Sequence, residues 1–369
     1  VELARQFGFA TGAGQALRSA LDKPEKTLYQ RVTEAHDRGA ILVAAVFDCF
    51  FTTYQRRIRD LIRIATGGSG IIPVGDLHPD LINLAANEAG RTAQGILTMA
   101  IRAFEYLPPV DITFGDYLRA LVTADYELVP DDEIGQRAAM IEAFRLRGIY
   151  PQNVISLAEE SLLWPAAEDM PALPDNLVSQ VMAEDARPFG RRRYTQPSGS
   201  AARADETMGE LDEEKFMAPG IAAALREYAT TNALRLKLDP KRKIHVQGFH
   251  SVFRVAPDGQ LLIELVAQFT QEDRSQLDDF GGLPLRGGTT VVAAADGSIR
   301  YVIAKPLPAR QLSAEDNAYA EARIERQREY ITLCDAQDPK LAWSDPDEYM
   351  PTRMAARMNF AGLHAGMIG

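Results

Sequence analysis

Ile41-Leu-Val-Ala-Ala-Val-Phe-Asp-Cys-Phe-Phe51 is an apolar run broken only by Asp48. It follows Asp37-Arg38-Gly39 and continues to Arg63, and Gly67-Gly68-Ser69-Gly70 stops it with residues that tolerate positive φ. Apolar residues fill its first turns, which predicts a helix buried on most of its sides. Outward from it the helical text goes on. His78-Pro79-Asp80 opens a second helix marked by Leu81, Leu84, Ala85 and Glu88, with His78 capping or lining the turn, and Pro108-Pro109 closes it. Thr113-Phe-Gly-Asp116 has capping-box spacing, and Leu118, Leu121, Val122 and Tyr126 recur behind it at helical intervals. Asp131-Asp132-Glu133 places acids at the start of another helix, carried by Ile134, Ala138, Ile141 and Phe144 to a stop at Gly148. Residues 1–165 therefore read as an all-α lobe whose core includes Leu42, Val46, Leu118, Leu121, Ile141 and Phe144.

Beyond Pro165 the composition changes. Pro165, Pro171, Pro174, Pro188 and Pro197 interrupt every helical pattern, and Arg187 with Arg191-Arg192-Arg193-Tyr194 forms a basic cluster. Residues 166–214 read as a linker, the arginines solvated or clamped on an acidic neighbour; phosphate or nucleic-acid binding is the lesser reading, since no aromatic interleaving accompanies them. From 215 the period shifts. A helix around Ile221, Leu225, Tyr228 and Asn232 precedes Leu261-Leu-Ile-Glu-Leu-Val-Ala-Gln-Phe269, whose odd positions are apolar while Glu264 and Gln268 face away. Asp258-Gly259 and Asp296-Gly297 sit between alternating runs as hairpin turns, and a slip of apolar phase at Gly248 predicts a bulge. The fold class is thus multidomain: an all-α N-terminal lobe, a linker, then an α+β domain over 215–310 with one helix on a four-stranded antiparallel sheet. Ser313-Ala-Glu-Asp316 caps a charged helix, and residues 311–369 are that helix and a tail.

Composition narrows the function. The 369 residues hold 40 Lys and Arg against 51 Asp and Glu, a formal charge of −11, which argues against nucleic acid as the main partner. No apolar run approaches the roughly 20 residues of a membrane span, so no membrane partner is expected. Two cysteines, Cys49 and Cys334, offer neither a disulfide framework nor a cysteine-rich zinc site, and such low use leans toward a cytoplasmic setting. The sequence has no HExxH, phosphate-binding loop, nucleophile elbow or dinucleotide fingerprint. Of the five histidines, His245 and His250 lie five apart across the predicted bulge and need not share a face, and His364 lies in the tail without a visible partner. His36, in Glu34-Ala-His-Asp-Arg-Gly-Ala40, stands just before the most apolar helix. Flanked by Glu34, Asp37 and Arg38, it could be held protonated and aimed outward to stabilise an oxyanion, or it could be a capping, salt-bridged surface residue.

Ala35-His-Asp-Arg-Gly-Ala-Ile-Leu-Val-Ala-Ala-Val-Phe47 resembles the stretch after the zinc site in thermolysin-like metallopeptidases, the gluzincins. Phe114-Gly-Asp-Tyr-Leu-Arg-Ala-Leu-Val-Thr-Ala-Asp-Tyr126 is similar to that family's penultimate helix, and Arg137-Ala-Ala-Met-Ile-Glu-Ala-Phe-Arg-Leu-Arg-Gly-Ile149 to its last. Order and spacing agree across residues 1–150. The resemblance implies a C-terminal helical catalytic lobe, a peptide or protein substrate, and a hydrogen bond from His36 to the oxyanion of the tetrahedral intermediate. The family's orienting Asp stands five residues before the histidine; here that residue is Arg31, which leaves Glu34 or Asp37 to orient it. The family's zinc ligands and general base lie upstream of the histidine segment. Since the chain starts at Val1 in helix-like text, the expectation is a longer parent whose upstream half supplies zinc and its ligands. The chain itself is then catalytically incomplete and holds no zinc. The other reading is a non-enzymatic binding or regulatory protein on a peptidase-derived scaffold.

Overall fold

The structure, a computed structural model, describes residues 23–32, 35–72, 77–185, 219–255, 261–277, 280 and 284–337. It divides into two units, Val1–Leu107 with Ile112–Trp164, and Pro108–Asp111 with Pro165–Gly369. The helical-then-α+β layout read from the sequence is present.

The first unit runs α1 (Leu28–Arg31), α2 (Ala35–Ala65), α3 (Pro79–Arg102), a 3₁₀ turn (Ala103–Tyr106), α4 (Phe114–Tyr126), α5 (Gln136–Leu146) and α6 (Glu159–Leu162). Local chemistry sets the helix ends. His78 caps α3, its Nδ1 accepting the Asp80 N–H at 3.2 Å, and Pro79 fills the first turn. Thr113 and Asp116 form the capping box of α4: Thr113 Oγ1 accepts the Asp116 N–H at 3.1 Å, and Asp116 Oδ2 accepts the Thr113 N–H at 2.8 Å. The acids before α5 lie ahead of the helix and not in it. Gly135 at φ 71° starts α5 one turn later, and the Asp132 carboxylate accepts the N–H groups of Gln136, Arg137 and Ala138 at 2.6, 3.0 and 3.2 Å.

Leu118, Leu121 and Phe144 are fully buried, whereas Leu42, Val46 and Ile141 are only half-buried. On α2 the core positions are Ile41, Ala44, Ala45 and Cys49 instead. A nearly continuous apolar run carries no phase, so the sequence could not say which side faces inward. Nor is α2 buried on most sides, since Val43 and Phe51 are 40% and 47% exposed. That position belongs to α4, where nine residues are buried from Gly115 to Asp125. Its small residues let neighbours close in: a Cβ on Gly115 would stand 2.7 Å from Pro151 Cα.

In the second unit α7 (Asp175–Asp185) and α8 (Pro219–Thr231) precede β1 (His245–Val255), β2 (Leu261–Asp273), β3 (Leu285–Ala294), β4 (Ile299–Lys305) and α9 (Ala314–Gln337). The strands form an antiparallel meander in chain order. The turn after β3 is the expected one: Gly297 has φ 83°, and Asp296 Oδ1 accepts the Ser298 N–H at 2.9 Å. The Asp258-Gly259 turn lies outside the described residues, as does the Arg191–Arg193 cluster. The bulge falls between Val246 and Gly248 as the phase slip predicted.

Leu177 and Val181 of α7 join Ile221 and Leu225 of α8 over the inward row Leu265, Ala267, Phe269, Val291 and Ala293. Two helices therefore pack on the sheet where one was expected, and 175–185 is not linker. Pro174 masked it, because a proline just before a helix starts it as readily as it breaks one. Phe280, Leu285, Leu307 and Ile324 of α9 form a second cluster. Arg323 holds the Pro108–Asp111 segment to this unit through Asp111, and also donates to the carbonyls of Arg286 and Pro306 at 2.9 Å each.

Candidate functional site

Two of the three stretches that carry the family resemblance meet at the start of α2. The Arg38 guanidinium donates to the carbonyls of Tyr29 and Val32 at 3.3 and 2.8 Å and lies 4.5 Å over the Tyr29 ring. Tyr29 stacks on Phe114, the first residue of α4, with centroids 5.3 Å apart. The loop after α5 closes the ring: a Cβ on Gly148, at φ 69°, would clash with the Lys26 carbonyl oxygen. Arg147, 3% exposed, reaches Asp48 of α2 at 2.6 Å. The beginning of α2 is thus tied to the beginning of α4 by one stacked aromatic pair and a cation over it, while the end of α5 is held to the segment before α1 at one glycine and to the middle of α2 by one ion pair.

His36 occupies the first turn of α2, one residue from its start. Its side chain lies outside the described residues, as does Glu34. Asp37 lies in the same first turn with its residue exposed, where the helix dipole favours a carboxylate. Arg31, where the family has its orienting acid, pairs with Glu25. The sequence reading passed over the Tyr29–Arg38–Phe114 cluster. Its signal was weak, two aromatics 85 residues apart and an arginine next to an acid.

Chemistry elsewhere in this unit is structural. Arg137, 1% exposed, donates Nε to Glu159 at 2.8 Å, Nη1 to Asp125 at 2.9 Å and Nη2 to the Pro130 carbonyl at 2.7 Å, sewing the α4–α5 loop to both helices. Burial pushes the Asp125 carboxyl above its ordinary value, with Arg137 pulling the other way. Burial pushes the Cys49 thiol up to about 12, so it is held as the inert thiol and not as a nucleophile. Tyr117 is likewise pushed up to about 12 by burial, its hydroxyl donating to the Ala100 carbonyl at 2.9 Å.

In the second unit the bulge has an unexpected effect. His245 pairs with Thr270 and His250 with Val266, both on the face opposite the helices, so the two histidines do share a face. Their β2 partners lie four positions apart, about 13 Å, too far for one metal ion. Among the described residues no three His, Cys, Asp or Glu side chains gather as a metal set. An open recess of about 360 Å³ is lined by Lys243, His245, Glu272 and Arg274. Glu264, on the same face, is buried between Arg254 at 2.7 Å and Arg300 at 3.3 Å. Among the described residues no helix is long and apolar enough to cross a membrane. Compared with models of protein families, with curated proteins and with solved structures, the chain matches none of them.

Proposed function

We propose that the first unit is the C-terminal helical lobe of a zinc-dependent peptidase of the thermolysin-like clan, acting on peptide bonds. One observation carries the reading. The three family-like stretches are helices in the family's order, and the first turn of α2, which holds His36, is tied through Arg38 and Tyr29 to the start of α4. A histidine in the first turn of a long helix, with that turn fixed against its neighbours, is what an oxyanion donor requires. The donor must already be in place when charge develops on the carbonyl oxygen. In this reading His36 donates to that oxygen, and Asp37 or Glu34 holds it protonated and oriented. Arg38 is a positioning residue that fixes the first turn of α2 on Tyr29 and Phe114.

Zinc is the metal the reading implies. The described residues do not fit it, since they bring together no set of donors, so its ligands and the general base belong to residues outside those described. The chemistry assigned to this chain is limited to oxyanion stabilisation and the positioning of its donor.

The test is His36→Ala in the longest naturally produced form of the polypeptide. Peptide hydrolysis should fall about 10²–10³-fold in kcat, the loss typical of one oxyanion donor, while zinc content by mass spectrometry stays unchanged. An unimpaired variant would remove His36 from the mechanism. A natural form that hydrolyses no peptide would favour a binding protein on the same scaffold.

A further inference from the structure

One exposed row of α3 lacks the charges that the solvent side of a surface helix normally carries. Ile82, Leu97 and Ile101 are 50%, 52% and 59% exposed, and Phe104 in the following 3₁₀ turn is 61% exposed. Ala86, Gly90 and Ala93 lie between them, exposed as well, and a Cβ on Gly90 would meet no atom within 4 Å. At 3.6 residues per turn these positions form one row along the whole helix. No Asp, Glu, Lys or Arg interrupts it. Arg91, the exposed charge nearest the middle of the helix, stands on another row and pairs with Glu88 at 2.9 Å.

The order of sizes along the row is what identifies its occupant. Small residues fill its middle and one flank, and large ones gather toward its C-terminal end. Laid antiparallel on a second copy about a two-fold axis at Ala93, the row meets itself with large against small. Leu97 falls against Gly90 of the other copy, Ile101 against Ala86, and Ala93 against its own equivalent. Ile82 then meets Phe104 at the two ends, where crossing helices diverge and leave room for two large side chains. A parallel pairing would set Leu97 on Leu97 and Gly90 on Gly90, alternately crowded and empty, which close packing disfavours. No charge has to leave water in the antiparallel arrangement.

We propose that this chain self-associates as an antiparallel homodimer through the α3 row, with the two-fold axis passing at Ala93. A helix of 24 residues is about 36 Å long, and one such face laid on another covers on the order of 600 Å² per copy. That is somewhat below the roughly 800 Å² per partner of a standard stable interface, so the association is sought at micromolar concentrations and not at nanomolar ones. The inference is independent of the peptidase reading.

Sedimentation velocity of the full chain through the micromolar range should show the mass doubling with concentration. Ala93→Glu sets two like charges face to face on the axis while placing a good helix former at an exposed site. It should hold the protein at monomer mass with an unchanged far-ultraviolet circular dichroism spectrum. Direction is tested by oxidation in a Cys334→Ser background. Ala93→Cys should cross-link to itself, and Ala86→Cys should cross-link only when mixed with Ile101→Cys. A wild-type chain that stays monomeric, a dimer that survives Ala93→Glu, or Ala86→Cys joining itself as readily as Ala93→Cys would each overturn the proposal. So would a monomer whose α3 row is protected from hydrogen exchange, since another segment or partner would then cover it.

Discussion

Arg137 offers the sharpest test of how the helical unit is held. Its guanidinium is 1% exposed and satisfies Asp125, Glu159 and the Val129 and Pro130 carbonyls together. Arg137→Met keeps most of the volume and removes every donor. The two carbonyls sit in a partly open loop and can take water, and Glu159 is 27% exposed at its side chain. Asp125, at 13%, cannot, so the deficit is dominated by one buried carboxylate without its counter-charge. Breaking one partner of such a pair costs roughly 3–5 kcal/mol.

The deficit should also depend on pH, with a definite sign. Burial already raises the Asp125 carboxyl above its ordinary 3.8, and the hydrogen bond and charge of Arg137 are what pull it down. Without them it rises further. A carboxyl raised in the folded state favours folding when protonated and opposes it when ionised. The loss in Arg137→Met is therefore full at neutral pH and shrinks as pH falls through the raised value toward 3.8. Urea unfolding followed by Trp164 fluorescence in a Trp343→Phe background reports on this unit. Asp125→Leu in the Arg137→Met chain should return stability to within about 1–2 kcal/mol of the wild type. A deficit under about 1 kcal/mol, or one equal at acid and neutral pH, would refute the argument.

Leu121→Ala empties a fully buried site and should lower stability by roughly 2–5 kcal/mol, while Leu42→Ala, half-buried, should lower it by distinctly less in the same urea titration. Gly148→Ala adds a methyl group at positive φ against the Lys26 carbonyl, and should both destabilise the unit and raise proteolysis within residues 23–32. Cys49 should resist iodoacetamide in the folded protein and react only on unfolding, as peptide mapping would show; ready labelling of the native chain would contradict its burial and its raised pKa.

Periodicity determined a good deal of this protein without help. The switch from helical to alternating spacing foretold helices followed by an antiparallel sheet. The Asp296-Gly297 turn, the bulge before Gly248, the Thr113–Asp116 box and the His78 cap were all readable, because each depends on residues within a few positions of one another. What depends on partners far along the chain was not. The apolar run of α2 hid which side is buried, and only packing chose Ala44 and Ala45 over Leu42 and Val46. Residues 175–185 looked like linker until the sheet supplied a surface for Leu177 and Val181. The histidine placed on the candidate site was legible as standing at a helix entrance, and the structure sets it inside the first turn, because α2 begins at Ala35. That Tyr29, Arg38 and Phe114 meet at that turn was decided by tertiary structure, since no local spacing relates residues so far apart in the chain.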